Sequence, residues 1–383
     1  MSAPLAGIVV ADFSRVLAGP LATMTLADLG ARVIKIERPA SGDDTRAWGP
    51  PYADSGMTTY FESANRGKES VTLDLRTEED RQRAHAIIAR SDVVIENFRP
   101  GLFARLGFDG DELIRRHPGI VYVSVSGFGL GEGANLPGYD FVAQAVGGLM
   151  HITGQRDGEA MKAGVALVDV LTGKDAVIGI LAALRRREFT GKGSRIEVNL
   201  LSSLQAALVN QASAHLGADV EPGRMGNRHP SIAPYEVLRC ADEPLAVACG
   251  NDAQFTKMCA EIGAAHLPGD VRFARNADRV AHRDALVEAL EDALSADTAA
   301  SWAERLNAAG VAAGVVDTIG GGIAMAERLG LDPVSELTGQ DGRVSRQIRH
   351  PISWQPEIGM ASSPPPRLGE HTESVLAWLG EGS

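Results

Sequence analysis

Cysteine is scarce in this chain. Its three cysteines among 383 residues, Cys240, Cys249 and Cys259, have no spacing that would build a disulfide framework or a thiolate metal site. That usage fits a reducing, cytoplasmic setting, and the N-terminal Met-Ser-Ala-Pro-Leu lacks the charged-then-apolar pattern of a secretory signal. No apolar run reaches membrane-spanning length, so no membrane partner is expected. Basic charge is in deficit as well: 37 Lys and Arg against 49 Asp and Glu leave a net charge of −12. General nucleic-acid binding needs a basic face, and nucleic acid is therefore not an expected partner. Several short signatures are missing too. The loop Asp12-Phe-Ser-Arg-Val-Leu-Ala-Gly-Pro20 carries no G-x-G-x-x-G, and there is no Walker A lysine, H-E-x-x-H or G-x-S-x-G. Glu37 stands about where a ribose-binding acid would sit, but a pyrophosphate needs the absent glycines to approach the backbone, which argues against an NAD enzyme. No repeat of solenoid length is present, and no metal is expected.

What is present is the material of a large core: 44% hydrophobic and 22% charged residues, the balance of a soluble globular protein. The length calls for two domains or one elaborated α/β unit. Strand patterns at 7–12, 32–37, 71–75, 92–96 and 120–126 alternate with a helix starting at Pro20 and helices at 78–90 and 111–117. This order predicts an α/β fold with a mostly parallel, Rossmann-like sheet and helices on both faces. A long helix after Asp169, a strand at 194–199 and a helix over 200–216 complete a large domain, 1–217. A smaller α+β domain, 218–330, opens on a polar linker (218–229). It holds strands at 235–240, 245–249 and 311–316 and helices at 253–262, 283–294 and 298–309. Residues 331–383 read as a return segment. Its Ser362-Ser-Pro-Pro-Pro-Arg367 runs extended, before a last helix at 373–379 that packs on the large domain.

Asp169 is the carboxylate that decides the chemistry. It opens a helix whose Val170, Gly173, Val177, Ile180, Leu181 and Leu184 share one face, and free N–H groups and the dipole at a helix start favour an ionised carboxylate. Arg15, Arg38, Arg76, Arg99 and Arg105 fall on loops after strands, where open α/β sheets bind ligands and where forked guanidinium groups suit phosphates.

These blocks resemble a known family. Val16-Leu-Ala-Gly-Pro20, Leu29-Gly-Ala-Arg-Val-Ile-Lys-Ile-Glu-Arg-Pro39, Glu96-Asn-Phe-Arg-Pro-Gly101, Pro137-Gly-Tyr-Asp140, Gly164-Val-Ala-Leu-Val-Asp169 and Thr190-Gly-Lys-Gly193 are similar to the family III CoA-transferases, the formyl-CoA and carnitine type, from about Leu5 to Leu379. Gly42-Asp-Asp-Thr-Arg-Ala-Trp-Gly-Pro-Pro51, Gly148-Leu-Met-His-Ile-Thr-Gly154 and Ser231-Ile-Ala-Pro-Tyr235 look most like the succinate–hydroxymethylglutarate branch, as does Pro364-Pro-Pro-Arg-Leu-Gly-Glu-His-Thr372. The resemblance implies an interlocked, ring-like homodimer with acyl-CoA as substrate and Asp169 as covalent nucleophile. It places CoA against Val16, Leu17 and Arg38, against Leu73, Asp74, Leu75 and Arg76, and against Asn97, Phe98, Arg99 and Arg105. Pro137, Gly138, Tyr139 and Asp140 complete the set.

The chain departs from the wider pattern in two places. Cys249-Gly-Asn-Asp252 has one glycine where formyl-CoA transferase carries a run, and Gly250 is the candidate oxyanion donor. Tyr139 stands where the related α-methylacyl-CoA racemases use a histidine base, which favours transfer over racemisation. A non-catalytic acyl-CoA-binding module would need no carboxylate at 169. Short dicarboxylates are the expected acids, with succinyl-CoA the expected donor. Arg46, Arg228 or His229 would meet the distal carboxylate, unless Arg46 only orders its loop by pairing with Asp43 or Asp44. Asp175 is expected in a salt bridge.

Overall fold

A computed structural model describes residues 3–358 and 363–380. The chain divides into two compact units, the first comprising 1–149, 162–220 and 332–383, the second 150–161 and 221–331. The first is built on six strands: β1 (Val9–Asp12), β2 (Arg32–Glu37), β3 (Lys68–Thr72), β4 (Val93–Glu96), β5 (Val121–Ser126) and β6 (Ser194–Asn199). All pair in parallel, in the order β3-β2-β1-β4-β5-β6. Both faces are covered, and strand alternation feeds two cores. Val10, Val93, Ile95 and Val123 pack with helices Ala18–Asp28 and Leu167–Thr190. Ala11, Ile34, Val94 and Tyr122 pack with Ile87, Phe103 and Val375 on the other side. The two helices on the first face approach closely at Gly173, where a Cβ would lie 2.7 Å from the Ala18 carbonyl oxygen.

The second unit holds an antiparallel sheet, β7 (Tyr235–Arg239), β8 (Pro244–Ala248) and β9 (Ala312–Val315), in the order β7-β8-β9. Its core joins Leu238, Leu245 and Val247 to Phe255, Leu286, Leu290 and Trp302.

Four features differ from the sequence reading, each for a physical reason. β3 occupies Lys68–Thr72 rather than 71–75, because its core-facing Lys68 and Ser70 are polar. The helix expected over 200–216 is two, Leu200–Ala207 and Val209–Ala218, broken where Val209 takes a φ of +41°, in the left-handed region. A hairpin absent from the reading, β10 (Val334–Thr338) with β11 (Val344–Ile348), is anchored on the first unit by buried Ser345 and Gln347, which bond Glu62 and Arg66. Residues 150–161, read as part of the large domain, belong to the second unit, which holds them through Gly226 N–H donating to Gly154 O. The proline-rich stretch is without regular structure over 363–367, Ser362 lying outside the described residues. Helix Thr372–Gly380 follows it, and His371 N–H donates to Ser70 O (2.9 Å) at the β3 edge.

Candidate active site

Strand order reverses direction between β1 and β4, and the carboxyl ends of the strands at such a switch point are where parallel α/β sheets bind ligands. The two loops are stitched reciprocally: Arg15 N–H donates to Asn97 Oδ1 (2.8 Å) and Asn97 Nδ2 donates to Arg15 O (2.7 Å). The Arg15 guanidinium lies over the Phe98 ring at 5.2 Å. Val16 adopts a φ of 70°, a costly conformation for a β-branched residue, and its N–H is held by Asp43 Oδ1 (3.1 Å). Asp43 is itself locked by the buried ammonium of Lys35 (2.9 Å), which also donates to Ser14 O (2.8 Å). Burial alone would push the Asp43 carboxyl up; Lys35 and the N–H groups of Thr45 and Val16 outweigh it and bring it down to about 2.

Asp169 sits in the first turn of the 24-residue helix Leu167–Thr190, whose N-cap, Ala166, supplies no side-chain bond. That role falls to Asp140, 29 residues earlier in the chain than Asp169: its Oδ1 accepts the N–H groups of Val168 (2.7 Å) and Asp169 (3.2 Å). Asp140 is carried to this place by a backbone crossing at two glycines. A Cβ on Gly138 would come within 2.4 Å of the Gly127 Cα, just past the end of β5. The carboxylate of Asp169 is half-buried and accepts no hydrogen bond among the described residues. Burial, then the charge of Asp140, push it up to about 7, so the ionised form expected from the helix start is outweighed by desolvation and like charge. Tyr60, which the sequence reading missed, faces the same group: its hydroxyl is pushed up by burial and then by Asp169, Asp140 and Asp43. Its ring meets Trp48 edge-on at 5.3 Å.

The residues expected around CoA all leave the carboxyl ends of β1 to β5. Arg38 is exposed and paired with Asp44 (2.7 Å), and Arg76 with Asp74 (2.8 Å). Arg99 and Arg105 are exposed, with no ion pair among the described residues. Leu73 turns its side chain into the core, so it can offer a ligand only its backbone, whereas Pro137, Gly138 and Tyr139 are exposed. Asp140 is buried and directed at the Asp169 helix.

The cations expected at the distal carboxylate are already engaged. Arg46 forks onto Glu37 (2.8 and 2.7 Å), donates to Pro366 O and covers the Phe61 ring at 3.7 Å. Its partner is thus Glu37, neither Asp43 nor Asp44. In the second unit Arg228 pairs with Glu236 (3.2 Å) and Asp284 (2.7 Å), and His229 Nδ1 accepts the Ser231 N–H. The Gly250 N–H, the expected oxyanion donor, donates to Gln254 Oε1 (2.8 Å). Asp175 is exposed and in no ion pair among the described residues.

Residues 5–372, nearly the whole chain, match CoA-transferase family III. The chain belongs to that family. A succinate–glutarate CoA-transferase of Agrobacterium fabrum is 41% identical over 98% of this chain and 96% of its own length. An acetyl-CoA:oxalate CoA-transferase of Acetobacter aceti is 44% identical over 81% of this chain and 80% of its own. The crystal structure of a CAIB/BAIF family protein from Brucella suis superposes with a TM-score of 0.88 at 40% identity, covering 99% of this chain and all of that one. This family III protein is therefore an enzyme acting as a CoA-transferase on acyl-CoA, with the α/β fold of its structural relatives.

Proposed function

We propose that this CoA-transferase moves CoA from succinyl-CoA to a short dicarboxylic acid through covalent intermediates on Asp169. One observation carries the reading: among the described residues the Asp169 carboxylate accepts no hydrogen bond, whereas both oxygens of Asp140 beside it do. A nucleophile needs an uncommitted lone pair. An Asp169 oxygen attacks the thioester carbonyl, the C–S bond breaks, and CoA leaves as thiolate from a mixed anhydride. The thiolate attacks the aspartyl carbonyl and the donor acid departs as carboxylate, leaving an aspartyl-CoA thioester. The acceptor acid runs both steps in reverse, so the thioester's free energy is never surrendered to water. Oxyanion donors contribute about 3–4 kcal/mol each when well aimed; Gly250 can serve only if Gln254 releases its N–H. A homodimer is proposed with this reading, on the family resemblance alone.

Both named relatives have a dicarboxylate among their acids, glutarate in one and oxalate in the other, which supports the substrate class. With succinyl-CoA as donor, glutarate and hydroxymethylglutarate are expected to outpace acetate, formate and carnitine. Faster turnover of a monocarboxylate contradicts the dicarboxylate assignment, and a preference for acetyl-CoA with oxalate moves the chain to the second relative's chemistry. Arg46→Ala is expected to lower stability and leave the ranking of acids unchanged, since its fork is filled by Glu37 and Pro366.

For CoA itself, Arg105→Ala should weaken acyl-CoA binding by about 1.5–3 kcal/mol, the scale of a charged hydrogen bond. Arg38→Ala and Arg76→Ala should cost less, because each arginine must first leave its aspartate. Titration with CoA and dephospho-CoA checks this and identifies the partner of the 3′-phosphate. Unchanged binding in all three variants returns these arginines to the solvated surface.

A further inference from the structure

Asp140 stands in the segment expected to touch CoA, yet its side chain is buried and both its oxygens are engaged. Oδ1 accepts two N–H groups of the nucleophile's own helix, from Val168 and Asp169. Oδ2 accepts Nε2 of Gln144 (2.6 Å), and Gln144 Oε1 accepts the Ala163 N–H (2.8 Å) just upstream of that helix. Gln144 is completely buried. Asp140 is thus pinned on both oxygens by groups of its own chain. The helix it caps has no side-chain cap of its own.

We propose that Asp140, held by Gln144, is a positioning residue that acts through Asp169: it fixes the helix start bearing the nucleophile and uses its charge to favour the covalently loaded form over the free carboxylate. The proposal rests on Asp169 being the nucleophile. Acylation turns the Asp169 anion into a neutral anhydride carbonyl, and the negative charge departs with the CoA thiolate. A fixed anion beside Asp169 raises the energy of the free carboxylate and leaves the neutral intermediate untouched. Burial first, and the same charge second, push the Asp169 carboxyl up. Asp140 and the Tyr60 hydroxyl are the titratable groups facing Asp169 from the elements packed on it, and of the two Asp140 is the one whose charge acts on Asp169.

Asp140→Asn is the decisive variant, because it keeps an acceptor oxygen for the helix N–H groups and removes the charge. The acid limb of kcat/KM, which reports deprotonation of Asp169, is expected near pH 7 in the unaltered enzyme. It should move down by about one unit in the variant, the lower end of the effect of a close like charge. The fraction of enzyme held as covalent adduct in the presence of acyl-CoA should fall about tenfold, the equivalent of one pKa unit. An acid limb left in place, with only kcat or melting temperature lowered, makes Asp140 merely structural and overturns the inference. A raised KM for acyl-CoA with the limb unmoved makes it a CoA contact and overturns it equally. Asp140→Ser, which also keeps one oxygen without charge, serves if the asparagine variant fails to fold. Absence of any adduct on Asp169 in the unaltered enzyme defeats the nucleophile reading and this inference together; an adduct with an unmoved limb defeats this inference alone.

Discussion

Asp169→Asn is expected to lower kcat for CoA exchange by about 10⁴–10⁶-fold, the range seen when a covalent nucleophile is removed, while making the protein more stable at pH 8. The two effects share one cause. The folded-state carboxyl titrates at about 7 against an ordinary value of 3.8. Between these values the native state holds a proton that the unfolded chain has released, so stability falls as pH rises through that window and stays lowered above pH 7. The neutral amide removes that penalty, which by linkage is no more than about 4 kcal/mol. At pH 4, where the native carboxyl is already protonated, the substitution should change stability little. Denaturant unfolding at the two pH values, beside an exchange assay, checks both limbs. Equal destabilisation at pH 4 and pH 8 would mean that Asp169 is an ordinary helix residue, stabilised in its charged form.

Lys35→Met should cost about 3–5 kcal/mol, the penalty for leaving one partner of a buried ion pair uncompensated. Its ammonium is fully buried between Asp43 Oδ2 and Ser14 O. Without it Asp43 loses the charge that holds its carboxyl down, and the same Asp43 supports the Val16 and Thr45 N–H groups. The damage should therefore reach the loop after β1 as well as the core, lowering the denaturation midpoint and weakening acyl-CoA binding together. Lys192→Met, on an exposed turn, should stay within about 0.5 kcal/mol. A stable Lys35→Met protein with normal acyl-CoA affinity would contradict the view that this buried pair shapes the loop.

The parallel sheet was readable from the chain because most of its strands are apolar on both faces, as β4 (Val93–Glu96) is, and stand between amphipathic helices. Polar burial defeated the same reasoning. β3 buries Lys68 against Asp12 and Pro20 O, and the β10–β11 hairpin turns Ser345 and Gln347 inward; neither leaves an apolar alternation to find. Asp169 was legible from its place before a long periodic helix. Its partners were not, because Asp140 and Tyr60 come from distant segments and act by proximity. The partner of Arg46 was hidden for a related reason: a guanidinium in a loop reads as available until Glu37, nine residues earlier, is seen to fill its fork.

The most direct test is to incubate the enzyme with succinyl-CoA alone, trap with hydroxylamine or borohydride, and map the modified peptide by mass spectrometry. The proposed mechanism predicts label on Asp169, absent in Asp169→Asn. An unlabelled Asp169 in an enzyme that still exchanges CoA, or label on another residue, would contradict it.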